Sequence, residues 1–138
     1  MTFVNPEEVV KKHFNLQPGM VVADFGAGSG YYTLAVARIV GESDSGVVYA
    51  VDIQKDLLEK IKSRAEEEGL KNVEIVWADL DKPEGSRIAA DSLDFVVISN
   101  ILFQTENKRA VAREAFRVLK SGGIAGVIDW SESFGGLG

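Results

Sequence analysis

Cysteine is absent from this chain of 138 residues, and histidine occurs once, at His13. The missing thiols exclude disulfides, thiolate nucleophiles and cysteine metal sites. A single histidine cannot form a multi-histidine metal centre, and His13, near the end of a predicted first helix, is most simply a polar residue of that helix. The sequence therefore predicts no metal site.

Long apolar runs and an excess of positive charge are also missing. No run is long enough to span a bilayer, and the first residues lack the basic and apolar pattern of a signal peptide. The formal net charge of -6 and the isoelectric point near 4.8 oppose binding to a polyanion, because phosphate contacts need clustered Lys and Arg. We therefore expect a cytoplasmic protein that has no membrane span and does not bind nucleic acid.

Hydrophobic residues make up 46% of the chain and charged residues 26%, which suits one globular domain over residues 1–138. Apolar and amphipathic segments alternate along it. The predicted strands are 21–23, 46–52, 72–77, 93–100 and 124–130. The predicted helices are 5–14, 33–41, 55–68 and 105–119, the last with a glycine cap at 120–123. This order indicates an α/β fold, a Rossmann-like, doubly wound and mostly parallel sheet of about five strands with right-handed crossovers.

The most informative stretch runs from Val21 to Thr33 and joins a buried strand to a helix through a tight turn. Its centre reads Asp24-Phe25-Gly26-Ala27-Gly28-Ser29-Gly30. Glycine lets a ligand lie across the end of the strand, within reach of backbone amides and a helix N-terminus. The dinucleotide fingerprint G-x-G-x-x-G would need a small residue at Tyr31, so the spacing disfavours that class. A purely structural glycine turn is the alternative.

Polar residues also end two further predicted strands. Asp52 lies 22 residues after Gly30, where α/β nucleotide folds place the carboxylate that accepts ribose hydroxyls. Ser99 and Asn100 end the fourth strand, beside the glycine turn if strands one and four are neighbours. Such a junction is the topological switch point at which these sheets bind ligands.

These motifs, in this order, resemble class I S-adenosylmethionine-dependent methyltransferases, and among them the small-molecule enzymes of ubiquinone and menaquinone biosynthesis. The turn acid-x-Gly-x-Gly-x-Gly resembles motif I of that family. The resemblance continues through Asp52, Asp79, the strand 93–100 and the turn 117–123, and so covers nearly the whole chain. The residues that it assigns to the cofactor site are Asp24, Gly26, Ala27, Gly28, Gly30, Asp52, Ile53, Asp79, Leu80, Ser99 and Asn100.

The resemblance implies how the first of these residues would hold S-adenosylmethionine. The backbone at 26–28 would pack under the methionine part, and Asp24 would orient the loop and help to hold the ammonium group. Asp52 would accept the ribose hydroxyls, while Ile53 would cover one face of the adenine. An acidic lining suits a ligand that carries both a sulfonium and an ammonium.

The remaining residues would lie at the adenine edge and near the reacting methyl group. Asp79, together with the Leu80 amide, would meet the adenine amino group, and Asp81 would take that role if the register were shifted. A loop aspartate that caps a local turn is the alternative for Asp79. Ser99 and Asn100 would lie near the transferring methyl group.

The chain departs from the family pattern at its end. The family adds an antiparallel pair of strands after the fifth, whereas only eight residues follow Trp130. Strands six and seven are therefore expected to be missing, which leaves the fifth strand as an exposed edge. We expect either a truncated domain or a homodimer formed through that edge. The missing part commonly helps to form the acceptor site, which argues against activity of this chain alone.

The acceptor is expected to be a small molecule. Ser99-Asn100-Ile101-Leu102 lacks the Asn-Pro-Pro-aromatic signature of many enzymes that methylate base or glutamine nitrogens. Absence of cysteine argues against arsenic methylation. In-line methyl transfer needs mainly alignment, so no catalytic base is assigned, although Tyr31 or Asn100 could touch a substrate. Three hypotheses result: a methyltransferase, a cofactor-binding domain without transferase activity, and an NAD-dependent oxidoreductase.

Overall fold

The computed structural model describes residues 5–99 and 108–128, and these form one parallel sheet with helices on both faces. The helices are α1 (Pro6–Lys12), α2 (Tyr31–Val40), α3 (Lys55–Glu67) and α4 (Lys108–Val118). The strands are β1 (Val21–Phe25), β2 (Val47–Asp52), β3 (Val73–Trp77), β4 (Leu93–Ile98) and β5 (Leu119–Val127). Every pairing is parallel, and the order across the sheet is β3-β2-β1-β4-β5. The predicted α/β fold with five strands is confirmed.

The chain changes direction across the sheet at β1. It steps outward from β1 through β2 to β3, and it then returns to place β4 on the other side of β1. The carboxyl ends of β1 and β4 therefore lie side by side, while the crossovers that follow them diverge. The Ser99 amide, just beyond β4, donates to the carbonyl of Phe25 at 3.3 Å. The switch point predicted from the sequence is thus present.

Apolar layers on both faces hold the sheet. Helices α1, α2 and α3 pack on one face, and α4 packs on the other together with residues of the segment 78–88. Neighbouring residues of β1 alternate between these layers, since Val22 packs with α1 and α2 whereas Ala23 packs on the α4 side. Because the central strands are covered on both sides, they read as continuous apolar runs in the sequence.

Capping groups determine where the first two helices begin. The side chain of Asn5 accepts a hydrogen bond from the Glu7 amide at 3.0 Å, as its place before a proline and two acids predicts. Helix α2 begins two residues earlier than predicted, at Tyr31. Gly30 takes a left-handed φ of 87°, and its carbonyl accepts from the Leu34 amide at 2.9 Å, so the first turn follows the glycine directly.

The transition from α4 to β5 differs from the prediction. The sequence predicted a glycine-capped helix end at 120–123, but α4 ends at Val118 and β5 begins at once with Leu119. Leu119 already pairs with Leu93, and the ladder then becomes irregular before regular pairing resumes. Gly122, at a φ of 85°, supplies the backbone freedom for this irregularity. The glycines therefore form a bulge within a strand and do not cap a helix.

Two predicted boundaries, the helix start at Thr105 and the strand end at Trp130, lie outside the described residues. Within 5–99 and 108–128, no helix combines the length and the apolar character that crossing a bilayer requires. The same ranges hold no group of His, Asp and Glu side chains placed to bind a metal ion.

Candidate cofactor site

Asp24 lies at the centre of the switch point and is fully buried. Its two carboxylate oxygens accept hydrogen bonds from different side chains: Thr33 Oγ1 in α2, at 2.8 Å, and Ser99 Oγ after β4, at 3.0 Å. Burial raises the pKa of Asp24 from 3.8 to about 6, an effect that the two hydroxyls partly offset and the charge of Asp52 increases. Asp24 thus ties β1, α2 and the end of β4 together at an electrostatic cost.

The glycine turn after β1 closes on the neighbouring strand. Gly26, Gly28 and Gly30 take φ values of 77°, 55° and 87°, all in the left-handed region. The amides of Gly26 and Ala27 donate to the Val51 carbonyl at 2.8 and 3.1 Å. The Gly30 amide donates to the Ala27 carbonyl at 2.9 Å. These amides therefore already serve bonds inside the protein.

This arrangement also bears on the dinucleotide hypothesis. A pyrophosphate is held by unpaired backbone amides at a glycine turn and by the helix N-terminus behind it. Here the amides of Gly26, Ala27, Gly28 and Gly30 are engaged within the protein. The position at which the dinucleotide fingerprint requires a small residue is Tyr31, whose side chain is 61% exposed. Arg64 of α3 lies 5.7 Å from the centre of this ring. The turn is therefore built as a tight surface under a ligand, with little provision for phosphate.

Asp52 ends β2 and connects the second strand to the glycine turn. One carboxylate oxygen accepts from the Gly28 amide at 2.9 Å, and the other accepts from the Gln54 amide at 2.9 Å. Because an ionised carboxylate offers about four acceptor positions, each oxygen keeps capacity for a further donor. The side chain is 8% exposed, and Ile53, which follows it, is 58% exposed. An apolar surface thus lies next to a fixed carboxylate.

The segment after β3 lies against this part of the site. The Ala78 amide donates to the Asp52 carbonyl at 3.0 Å, which brings the residues after β3 beside the end of β2. One oxygen of Asp79 accepts from the Asp81 amide at 2.9 Å, so the local turn named as the alternative is present and uses part of the Asp79 carboxylate. The side chain of Leu80 is buried in the layer under α4.

A buried ion pair fixes the far end of the same segment. Glu114 of α4 accepts from the Ser86 amide at 3.0 Å, from the Ser86 hydroxyl, and from Arg117 at 2.7 and 2.8 Å. Burial alone would raise the pKa of Glu114, but the bonds from Arg117 and Ser86 outweigh it and lower that pKa. The guanidinium of Arg117 also donates to the Ile88 carbonyl at 2.7 Å. The irregular stretch after Asp79 is therefore anchored to α4.

Tyr32 has a buried hydroxyl without a hydrogen-bond partner among the described residues. Its side chain is 3% exposed, and burial followed by the charge of Asp24 raises its pKa. A buried hydroxyl without a partner costs free energy, which marks a place where a polar group of a ligand would be favoured. The structure thus adds Tyr32, as well as Thr33, to the surroundings of Asp24.

Most of the residues that the sequence assigned to the site lie in one connected network. The residues joined by hydrogen bonds at the ends of β1, β2 and β4 are Asp24, Gly26, Ala27, Gly28, Gly30, Asp52 and Ser99. Ile53 adjoins this network, and the Asp79 and Leu80 segment reaches it through the Ala78 amide. Asn100 lies outside the described residues. Sequence reasoning missed Thr33, although a hydroxyl in the first turn after a glycine loop is a usable signal.

The chemistry of this network fits a cationic adenosyl ligand. Two carboxylates favour positive charge at the switch point, and the buried one, Asp24, accepts from two hydroxyls of the described residues. The exposed apolar side chain of Ile53 beside Asp52 suits a flat base attached to a sugar with neighbouring hydroxyls. The two carboxylates and the apolar surface therefore fit S-adenosylmethionine better than a ligand that carries a pyrophosphate.

Comparison with known proteins gives the same result. A family model described as a methyltransferase domain matches residues 16–133. The ubiquinone/menaquinone biosynthesis C-methyltransferase UbiE of Vibrio campbellii is 33% identical over 117 residues, 84% of this chain and 43% of the relative. The demethylmenaquinone methyltransferase of Geobacillus sp. is 29% identical over 126 residues, 91% of this chain and 51% of the relative. The chain thus spans about half the length of these curated relatives.

A solved structure agrees in fold and in sequence. The crystal structure of a SAM-dependent methyltransferase from Aquifex aeolicus superposes with a TM-score of 0.79 at 31% identity. The match covers 91% of this chain and 64% of that one. The chain therefore belongs to the class I S-adenosylmethionine-dependent methyltransferase family.

Proposed function

We propose that this chain binds S-adenosylmethionine at the carboxyl ends of β1, β2 and β4 and forms the cofactor half of an enzyme that methylates a small molecule. The observation that carries the proposal is the network in which Asp52 holds the Gly28 amide while Asp24 holds Thr33 and Ser99. It combines an acidic lining with a tight glycine surface. Because the chain spans only about half the length of these relatives, transfer of the methyl group to an acceptor is also proposed and not shown.

Each residue of the network has a task in binding or alignment. Glycines 26 and 28 would let the methionine part lie close to the backbone, and Asp24 would fix the turn through Thr33. Asp52 would accept the ribose hydroxyls with the acceptor positions that its two amide bonds leave over. Ile53 would cover one face of the adenine.

The adenine edge would be formed by Asp79 and the Leu80 amide, and Ser99 and Asn100 would lie near the methyl group. When bound, S-adenosylmethionine would supply a sulfonium methyl group for in-line transfer to an acceptor, with S-adenosylhomocysteine as the leaving group. The protein contributes alignment and an electrostatic field that favours the cation. No residue is therefore assigned as a general base.

We infer that the acceptor is a quinone-related small molecule. The support is that two relatives are methyltransferases named for ubiquinone and menaquinone, together with the acidic charge of this chain, which disfavours nucleic acid. The test is transfer of a tritiated methyl group from S-adenosylmethionine to a panel of demethylated quinones, a catechol and an oligonucleotide. Product on the quinones supports the inference, and product confined to the oligonucleotide contradicts it.

The alternative function is cofactor binding without transfer. The outer side of β5 has no partner strand among the described residues, and its side chains Ile124 and Val127 are 59% and 54% exposed. Phe116 on the adjoining helix is 84% exposed. An acceptor site that needs elements over this edge would be incomplete here. Saturable cofactor binding with no product across the panel would favour this alternative.

The same edge supports a homodimer of the isolated chain. An open strand edge with apolar side chains is a template for pairing with a second strand. The proposal predicts a dimer by light scattering, which the variant Ile124→Lys converts to a monomer, whereas the remote surface variant Glu59→Lys leaves the dimer intact. A monomeric parent chain at micromolar concentration would contradict it. The cytoplasmic location stays a prediction for cell fractionation.

A further inference from the structure

Trp77 occupies the last position of β3, at the outer strand of the sheet and next to the end of β2. It pairs in register with Asp52, and its side chain is 57% exposed. The indole Nε1 donates a hydrogen bond to the Ile53 carbonyl at 2.8 Å. The Trp77 side chain is thus bonded to the backbone of Ile53, and both residues expose large apolar side chains at the carboxyl edge of the sheet, beside the carboxylate of Asp52.

The bond from Trp77 completes the support of the turn after β2. The Asp52 carbonyl accepts from the backbone amide that follows Trp77, and the Asp52 carboxylate is held by Gly28 and Gln54. Ile53 is the residue between these fixed points. Its carbonyl is held by the indole, and the N–H of the same peptide, from Gln54, is held by the Asp52 carboxylate. Trp77 therefore supplies one of the two bonds that fix the orientation of this peptide.

Trp77 is itself in contact with two cationic side chains, one at its ring and one at its backbone carbonyl. The ammonium of Lys55, at the start of α3, lies 5.4 Å from the ring centre, within the range of a cation–π contact. The guanidinium of Arg87 donates to the Trp77 carbonyl at 2.7 Å. A donor that is anchored in this way sets the geometry of its acceptor more strictly than a freely rotating side chain would.

We propose that Trp77 is a positioning residue for the adenosyl group, acting through the hydrogen bond from its indole to the Ile53 carbonyl. The proposal rests on the function proposed above, since Ile53 is the residue that would cover the adenine. Loss of the indole donor would leave this peptide held only at its N–H, which would loosen Ile53 and weaken its contact with the base. The effect is confined to ligands that carry the base.

The direct test compares Trp77→Phe with the parent chain by calorimetric titration with S-adenosylhomocysteine and with adenosine. Phenylalanine keeps an aromatic ring but removes the N–H donor. We expect both ligands to lose about tenfold in affinity. The unfolding midpoint should fall only slightly, because one exposed intramolecular hydrogen bond is lost, and the variant should stay folded under the conditions of the titration. The matched control is Trp130→Phe, which removes the other tryptophan of the chain and should leave both affinities unchanged. Unaltered affinity in Trp77→Phe overturns the proposal.

A double-mutant cycle separates positioning from a general structural role. If Trp77 acts through Ile53, the change Trp77→Phe should cost far less affinity in an Ile53→Ala background than in the parent chain. Equal losses in both backgrounds would show that Trp77 does not act through Ile53. A parent chain that binds neither ligand would contradict the proposed function instead, which distinguishes the two failures.

A spectroscopic measurement covers the case in which Trp77→Phe does not fold. In Trp130→Phe, Trp77 is the sole tryptophan and reports from beside Ile53. Saturation with S-adenosylhomocysteine should shift or quench its emission, with the same midpoint as the calorimetric titration. Emission that stays constant at full saturation overturns the proposal.

Discussion

Asp24 and Asp52 lie near the ends of adjacent strands and are joined by the same glycine turn, yet the protein treats them differently. Asp24 is fully buried, and its partners are two side-chain hydroxyls, one from Thr33 in α2 and the other from Ser99 after β4. Asp52 is 8% exposed, and its partners are two backbone amides close to the turn. The backbone thus fixes the carboxylate that would face the ribose, whereas folding of the whole switch point is needed to satisfy the other.

The different partners of Asp24 and Asp52 indicate different roles for the two carboxylates. Backbone amides hold an acceptor without adding mobile side chains, which keeps Asp52 oriented and able to take further donors. The two hydroxyl partners only partly offset the free-energy cost of burying the charge of Asp24, and its pKa is therefore raised to about 6. A cation near Asp24 would offset more of that cost, so the buried acid favours a positively charged ligand.

The largest expected effect comes from removing the charge of Asp24. Its pKa is about 6 in the folded protein and 3.8 as the ordinary value. The unfolded chain therefore releases this proton at lower pH, and this acid makes the folded state less stable as the pH rises from about 4 to 6. In Asp24→Asn that loss is absent. The free energy of unfolding of the variant, relative to the parent, should rise by about 2 to 3 kcal/mol between pH 4 and pH 7.

Urea unfolding of both proteins at several pH values measures this difference, and contributions from all other groups cancel in it. Asp44→Asn, in an exposed loop, is the matched control and should show no such trend. A difference between parent and Asp24→Asn that stays constant from pH 4 to pH 7 would contradict the assigned burial cost.

The next effect concerns the turn that joins the two acids. A Cβ at Gly30 would lie 2.6 Å from Ile61 Cγ1, and the φ of 87° is unfavourable for alanine. Gly30→Ala should therefore lower the free energy of unfolding by about 2 to 3 kcal/mol. Gly69→Ala shares the positive φ but would meet no atom within 4 Å, so we expect only about 1 kcal/mol. Equal losses in urea unfolding would show that the contact with α3 is unimportant.

Removing the other carboxylate tests the ribose assignment. Asp52→Ala should leave the fold intact and weaken cofactor binding by about 1 to 3 kcal/mol, the range for hydrogen bonds to a charged group. Calorimetric titration with S-adenosylhomocysteine measures the loss, and Asp44→Ala serves as a control on the loop before β2. If Asp52→Ala binds as tightly as the parent chain, the assignment is wrong.

The smallest effect sharpens the contrast between hydroxyl and amide partners. Thr33→Val keeps the shape of the side chain but removes the hydrogen bond to Asp24. At pH 7 we expect a loss of about 1 kcal/mol in the free energy of unfolding. The loss should shrink at pH 4, where Asp24 is protonated and no longer needs the same donor. A cost that is independent of pH would argue that the hydroxyl does not act on the charge.

The sequence predicted those parts of the fold and site that local patterns determine. Asp24 and Asp52 each follow an apolar run, and the glycines after Asp24 indicate a tight turn. The sequence therefore predicted that the two acids lie at the same edge of the sheet, beside this turn. The bonds that Asp24 accepts could not be anticipated to the same degree. Ser99 reaches Asp24 only because β1 and β4 are neighbours, and the bond from Thr33 depends on how α2 packs after the turn. Tertiary pairing decides such contacts.

Two further features depended on contacts that no local pattern reveals. The glycines after Leu119 looked like a helix cap, but pairing with Leu93 draws them into β5 as a bulge. Trp77 resembled an ordinary strand residue, and its bond to Ile53 follows from the parallel register of β2 and β3. In both cases the neighbouring strand determines the role of the residue.

The most direct test of the central claim is calorimetric titration of the folded chain with S-adenosylmethionine, S-adenosylhomocysteine and NAD. The account predicts saturable binding of both adenosyl sulfur ligands and no comparable binding of NAD. Four amides of the glycine turn already donate within the protein, and Tyr31 stands where the dinucleotide fingerprint requires a small residue. Tight binding of NAD, or no binding of either sulfur ligand by a well-folded chain, would contradict it.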